Sequence, residues 1–243
     1  MMYLEQLKVV AGDQTVLLGP LSLALPAGEN LYIVGESGSG KSTLLEVVAG
    51  CSPHHQDGEV LVAVPDDSGT ASKDEESSLQ RVFPLLAVQD AQLAFSPYRK
   101  VFPQLLDGLQ RKTDFARLPG LLDELGLDMG TVQANFPHQL SGGMLKRALL
   151  AGLLACGARY SLFDEPTSGL DSSRRWAVLE TIGLHSSEFI LATHDVDLVR
   201  SVRSGYLLVL RHGKKVAYGP VREVLADPDS EYVRELFQQA EVT

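Results

Sequence analysis

Cysteine is scarce. Cys51 and Cys156 are the only two in 243 residues, too few for a disulfide framework or a Cys-ligated metal site, and two buried free thiols are expected. Positive charge is also short: 21 Lys and Arg stand against 31 Asp and Glu, a formal net charge of −10. Such a surface repels phosphate backbones, which excludes general nucleic-acid binding but leaves room for a small nucleotide held by one local loop. Long apolar runs are missing. The longest, Ala148 to Ala158, is too short to span a bilayer and runs into Arg159. No basic segment followed by an apolar one opens the chain, so no signal peptide is expected. A membrane role is then expected to come through a partner.

What is present is a chain that is 44% hydrophobic, enough for a real core, in a length that suits one large α/β domain. Residues 1–34 read as strands and turns, ending in "NLYIV". "STLLEVVAG" reads as a helix stopped by Gly50. "GEVLVAVP" is another strand, and residues 66–78 are polar and read as an exposed loop. Residues 90 to 155 are mostly helical in pattern, with breaks expected at Pro97, Pro103, Pro119 and Pro137, and read as an inserted helical subdomain. Strands return at "YSLF", "FILAT" and "YLLVL". This alternation of strands and helices predicts a largely parallel sheet. "RHGKKVAYG" predicts a hairpin turning at His212-Gly213, and the tail from Val221 reads as helical.

"GESGSGKST", Gly35 to Thr43, fits G-x-x-x-x-G-K-[ST] in full. The glycines Gly35, Gly38 and Gly40 let the backbone wrap an anion, and the N–H groups of the loop and of the following helix point at phosphates. Glu36, Ser37 and Ser39 complete the wrap. Lys41 adds charge near the β and γ oxygens, Ser42 can sit on Mg²⁺, and Thr43 follows it. A strand before and a helix after are the context that this motif requires.

A phosphate loop does not by itself distinguish kinases, GTPases and ATPases. "YSLFDEP" delivers Asp164 to the C-terminal end of a strand, where ligands of open α/β sheets bind. Asp164 would hold Mg²⁺, mostly through water, and Glu165 would polarise an attacking water as general base. Alone, the pair would read as solvated acids before a turn at Pro166. "LSGGM", Leu140 to Met144, opens a helix with Ser141, Gly142 and Gly143, so free N–H groups and a hydroxyl face outward toward an anion.

Together these residues resemble the ATP-binding subunit of ABC transporters over nearly the whole chain. Gly35–Thr43 resembles that family's Walker A loop and Gln89 its Q-loop glutamine. "LSGGM" resembles the signature motif, and Asp164 with Glu165 the Walker B pair. "SGLD", ending on Asp171, resembles the D-loop, and His194 in "LATHD" the switch histidine. Singly, each has an ordinary explanation; their order and spacing carry the resemblance. It implies an α/β P-loop NTPase (RecA-like) core with an antiparallel β subdomain and an inserted helical subdomain at 90–155, within one ABC ATPase domain over 1–243. It implies ATP and Mg²⁺ as cofactors, catalytic roles for Glu165, His194 and Gln89, and metal contacts from Ser42, Gln89 and Asp164. Two subunits would sandwich ATP head to tail, so Ser141, Gly142, Gly143 and Asp171 would meet the nucleotide held by the other subunit.

Two departures stand out. Met144 replaces the signature's usual Gln, and no aromatic lies between Leu4 and Leu31, where the family commonly stacks one on adenine. "QDAQLAFSPYRKV", "SGGML" and "ADPDSEYVRELF" resemble the peptide and nickel importers, although the tail lacks the cysteines common in the peptide group. That likeness implies an energising subunit of an importer for peptides, nickel or metal–chelate complexes. It would sit at the cytoplasmic face of the membrane against integral membrane permease subunits, beside a second and different ATPase subunit. An extracytoplasmic substrate-binding protein would be an indirect partner, and nucleic acid none. The alternative within the family is a non-transport ATPase of cofactor assembly.

Overall fold

The structure, a computed structural model, describes residues 1–62, 84–109, 112–158, 160–228 and 230–238. The polar stretch at 66–78 lies outside the described residues. In chain order, the first run carries β1 (Met2–Val10), β2 (Val16–Leu25), β3 (Leu31–Val34), α1 (Lys41–Val48) and β4 (His55–Val62). Next come β5 (Leu85–Ala87), α2 (Val101–Asp107), α3 (Lys112–Glu124), α4 (Met129–Ala134), α5 (Gly142–Ala155), β6 (Tyr160–Asp164) and α6 (Ser172–His185). The last run carries β7 (Glu188–Thr193), α7 (Val196–Ser201), β8 (Tyr206–Arg211), β9 (Lys214–Pro220), α8 (Val221–Ala226) and α9 (Glu231–Gln238). The chain divides into two compact units, one of Met1–Pro84 with Glu188–Thr243 and one of Leu85–Ser187.

In the first unit, β1 pairs antiparallel with β2 on one side and β4 on the other. The stretch "LSLAL" alternates as a strand with one buried face does: Leu21, Leu23 and Leu25 are buried, whereas Ala24 is exposed. A second sheet in this unit places β3 between β7 and β8, both parallel to it, with β9 returning antiparallel to β8. Every residue of β3 and β7 is buried, which is why these strands read as continuous apolar runs rather than alternating ones. Asn30 aligns their starts. Its carbonyl accepts from the Tyr206 N–H at 2.8 Å and its side-chain oxygen from the Phe189 N–H at 3.0 Å. The β8–β9 turn falls at His212 and Gly213 as expected, with φ of 48° and 72°, the two left-handed residues that a two-residue hairpin turn requires.

In the second unit, β5 and β6 run parallel, and α5 packs against α3, with Leu145, Ala148, Leu150 and Leu154 of α5 all buried. Two expected proline breaks do not occur. Pro103 is the third residue of α2, where a helix has no use for the missing N–H. Pro119 lies inside α3. The helix loses one backbone bond there, but Leu118, Leu121 and Leu122, all 2% exposed or less, bury its inner face and keep it continuous. The thiols also differ from expectation: both are free, but Cys51 is exposed and Cys156 half-buried.

Arg147 joins the start of α5 to the end of α3. Its Nε donates to the Gly143 carbonyl at 3.1 Å, and Nη1 donates to the carbonyls of Leu125 at 2.8 Å and Gly126 at 3.0 Å. It is 6% exposed. Arg147→Met is expected to leave those carbonyls without their charged donor and to lower stability by about 3 kcal/mol, read as a shift in the urea midpoint.

Candidate functional site

β3 ends at Val34 and the chain turns at Gly35, where a Cβ would stand 2.2 Å from the Leu210 carbonyl oxygen and 2.6 Å from Ser39 Oγ. Only glycine fits such an approach. The loop then runs through Glu36, Ser37 and Gly38, all exposed, to the buried Ser39, and Gly40 caps α1 without any side-chain hydrogen bond. The N–H groups of the first turn of α1 therefore have no side-chain cap, the arrangement that favours an anion. Among the described residues, the buried Ser39 Oγ has no hydrogen-bond partner, a polar atom in want of a ligand. Lys41, 7% exposed, folds back over the loop: its Nζ donates to the carbonyls of Gly35 at 2.7 Å and Glu36 at 3.1 Å. Ser42 and Thr43 are half-buried on the first turn.

The loop is held from behind by backbone. The Gly213 N–H donates to the Ser39 carbonyl at 3.1 Å, and the Gly19 N–H donates to the Gly213 carbonyl at 2.8 Å. In the parallel register Val34 pairs with Thr193, so Gly35 and His194 leave the sheet at the same edge. His194 is exposed there. Asp195 beyond it accepts from the Leu198 N–H at 3.1 Å and so caps α7. Tyr232, on α9, lies under the Arg211 guanidinium at 4.3 Å. Burial, and after it the negative charge of Glu36, push its phenol above the usual range, so the C-terminal helix reaches the phosphate loop.

In the second unit, β5 pairs with β6 through Ala87 and Phe163. Gln89, two residues on, and Glu165 therefore leave at the same end, with Asp164 between. Asp164 and Glu165 are 7% and 5% exposed, and Gln89 is exposed. Glu165 has φ of 50°, a left-handed conformation that costs a non-glycine residue about 1–3 kcal/mol and that clusters at functional sites. Its carbonyl oxygen accepts three hydrogen bonds: from the Ser168 N–H at 3.2 Å, from Ser168 Oγ at 3.1 Å and from Lys146 Nζ at 3.0 Å.

Ser141 caps α5, its Oγ accepting from the Met144 N–H at 3.2 Å. The hydroxyl read as facing outward is thus engaged by its own helix, while Ser141 and Gly142 remain exposed. Gly143 lies against Leu170 of the following loop: a Cβ on Gly143 would meet Leu170 Cδ2 at 3.2 Å. Asp171 caps α6, accepting from the Arg174 N–H at 3.1 Å and from Ser173 Oγ at 2.7 Å. The Ser173 hydrogen bond, ahead of the backbone one, holds its carboxyl below the usual range.

The expected residues thus fall into two groups. The phosphate loop and His194 sit at one strand end of the first unit. Gln89, Asp164, Glu165, the α5 start and Asp171 belong to the second. Lys146, and its bond to Ser168 at the start of "SGLD", were not foreseen. A lysine inside the apolar run "MLKRALLAGLLA" was the available signal, because a buried cation needs partners.

A family model described as ABC transporter matches residues 18–168. The chain belongs to the ABC transporter family. Within that family it is an ATP-binding, ATPase chain. It is 34% identical to a methionine import ATP-binding protein of Xanthomonas oryzae, over 96% of this chain and 70% of that one. It is also 34% identical to a nickel import ATP-binding protein of Pseudomonas putida, over 82% of this chain and 74% of that one. To a peptidoglycan transport ATP-binding protein of Agrobacterium fabrum it is 30% identical over 94% of its own length, spanning only 43% of that longer relative. Among solved structures, a dimeric ATP-binding cassette in a post-hydrolysis state, bound to ADP and phosphate, superposes with a TM-score of 0.71 at 22% identity. It covers 91% of this chain, and this chain 99% of it. The α/β P-loop fold with an antiparallel β-sheet is therefore the fold expected from sequence.

Proposed function

We propose that this ABC chain binds and hydrolyses ATP to energise an importer. The phosphate loop between β3 and α1 carries the reading: a backbone cradle with an uncapped helix start, an orphaned Ser39 hydroxyl and a buried lysine across it. Its residues Gly35 to Thr43 hold the phosphates, with Lys41 against the β and γ oxygens. Glu165 is the general base, His194 assists it, and Gln89 orients the water. Ser141, Gly142, Gly143 and Asp171 serve a nucleotide bound by a second subunit, and residues 90–155 form the helical subdomain that meets the membrane partner.

Ser42, Gln89 and Asp164 fit Mg²⁺, because all three offer hard oxygen donors. Among the described residues no group of three or more His, Cys, Asp or Glu forms a metal cage, so the ion would share one or two protein oxygens with substrate phosphates. When bound, it neutralises charge on the phosphate oxygens.

Among the described residues no helix is long and apolar enough to cross a membrane. The import role therefore requires permease subunits, with this chain peripheral at their cytoplasmic face and a binding protein supplying cargo. Peptides, nickel and metal chelates are the cargoes that the sequence resemblance favours, and the name of the Xanthomonas relative adds methionine. Met144 in the signature and the missing adenine aromatic support a second ATPase subunit that differs from this one.

The test is hydrolysis and assembly together. The purified chain is expected to be largely monomeric with weak ATPase activity that EDTA abolishes and Mg²⁺ restores. Hydrolysis is expected to rise when permeases and a different ATPase subunit are added. Sedimentation with ATP in a Glu165→Gln background checks the pairing: a stable, ATP-induced homodimer would refute the heteromeric arrangement.

A further inference from the structure

We propose that Lys146 is a positioning residue for ATP hydrolysis, one that ties the signature helix to the Glu165 backbone and to the loop leading to Asp171. The inference rests on the reading of Glu165 as general base. Lys146 projects from α5, which Ser141 caps, and is 8% exposed. Its Nζ donates to the Glu165 carbonyl at 3.0 Å and to Ser168 Oγ at 2.5 Å. Ser168 Oγ in turn donates to the same Glu165 carbonyl at 3.1 Å.

The result is a closed triangle of hydrogen bonds around one carbonyl, at the one residue of the site that is held left-handed without being glycine. That conformation aims the Glu165 side chain, and it persists only where its surroundings enforce it. The Ser168 bonds come from within the same turn. Lys146 adds a bond from another element, the helix α5. Burial of its ammonium opposes charge, whereas the carboxylates of Glu165, Asp164 and Asp90 favour it. A cation placed there has no solvent role to play. It fixes where the Glu165 carboxylate stands relative to α5, and through Ser168 it fixes the path of 169–171.

A group that only aims the base changes kcat and leaves nucleotide affinity alone. Lys146→Met, similar in length but without the donor, is therefore expected to lower the kcat of the full-length chain with Mg²⁺-ATP by about tenfold or more. Its Kd for a fluorescent ATP analogue should stay within about twofold of wild type. Lys146→Gln, which keeps an N–H donor on a slightly shorter side chain, is expected to recover part of that loss.

Should Lys146→Met fail to fold, Ser168→Ala decides. A kcat several-fold lower at unchanged Kd supports the tether, and an unchanged kcat overturns it. Glu165→Gln is measured alongside. If it abolishes turnover while Lys146→Met keeps full kcat, the tether is wrong and the assignment of the base stands. If Glu165→Gln itself turns over normally, the assignment of the base fails first.

Discussion

Glu165→Gln is expected to slow ATP hydrolysis by roughly 10²–10⁴-fold, the range that positioned acid–base catalysis contributes. The substitution is nearly isosteric. Its carbonyl accepts from Ser168 and Lys146, and the substitution leaves that carbonyl in place, so the backbone geometry should survive. What is lost is the ability to take a proton from water. Nucleotide and metal binding should be kept, because the phosphate loop lies on another strand and Asp164 is untouched. Removing one of two adjacent negative charges also lowers repulsion against bound ATP, so ATP-bound assemblies should accumulate. Single-turnover hydrolysis beside an equilibrium binding titration reads both effects. Near-normal turnover would move the base to His194, which the β3–β7 register brings to the edge where the phosphate loop begins.

Lys41→Ala is expected to weaken ATP binding by at least about tenfold, since each charge-assisted bond to phosphate is worth roughly 1.5–3 kcal/mol. Lys41 also closes the loop on itself through the carbonyls of Gly35 and Glu36. Alanine therefore takes away both a charge and a clasp. The fold should remain, because β3, β7 and β8 are paired and buried without help from this side chain. Filter binding or fluorescence titration checks the affinity and circular dichroism the fold; unchanged affinity would count against the phosphate loop as the ATP site.

What was legible in the sequence is what is local. Gly35 to Thr43, the helix start at Ser141 and the His212-Gly213 turn each need only a few consecutive residues. For these, chain order and spatial order coincide. Pro119 was misread because a proline reports on its own helix, while the burial of Leu118, Leu121 and Leu122 that overrides it comes from packing. The pairing of Lys146 with Ser168 was missed because their bond spans 22 residues, and nothing in either neighbourhood announces the other. The compact unit from Leu85 to Ser187 was likewise hidden. Its boundary follows the pairing of β5 with β6, a contact between strands over 70 residues apart, rather than any change in composition.

The turn between β8 and β9 bears on how this protein can vary. Its contacts to Ser39 and Gly19 run from main chain to main chain, so they are indifferent to which side chains the hairpin carries. His212, exposed at the tip, can change to any residue that accepts its left-handed φ of 48°. Gly213 cannot: a Cβ there would stand 2.4 Å from the Leu17 carbonyl oxygen, at a φ of 72°. The brace behind the phosphate loop is thus spelled by a single letter, some 170 positions downstream of the loop it supports. A comparison of sequences that weighed only the loop itself would overlook the residue on which its shape depends.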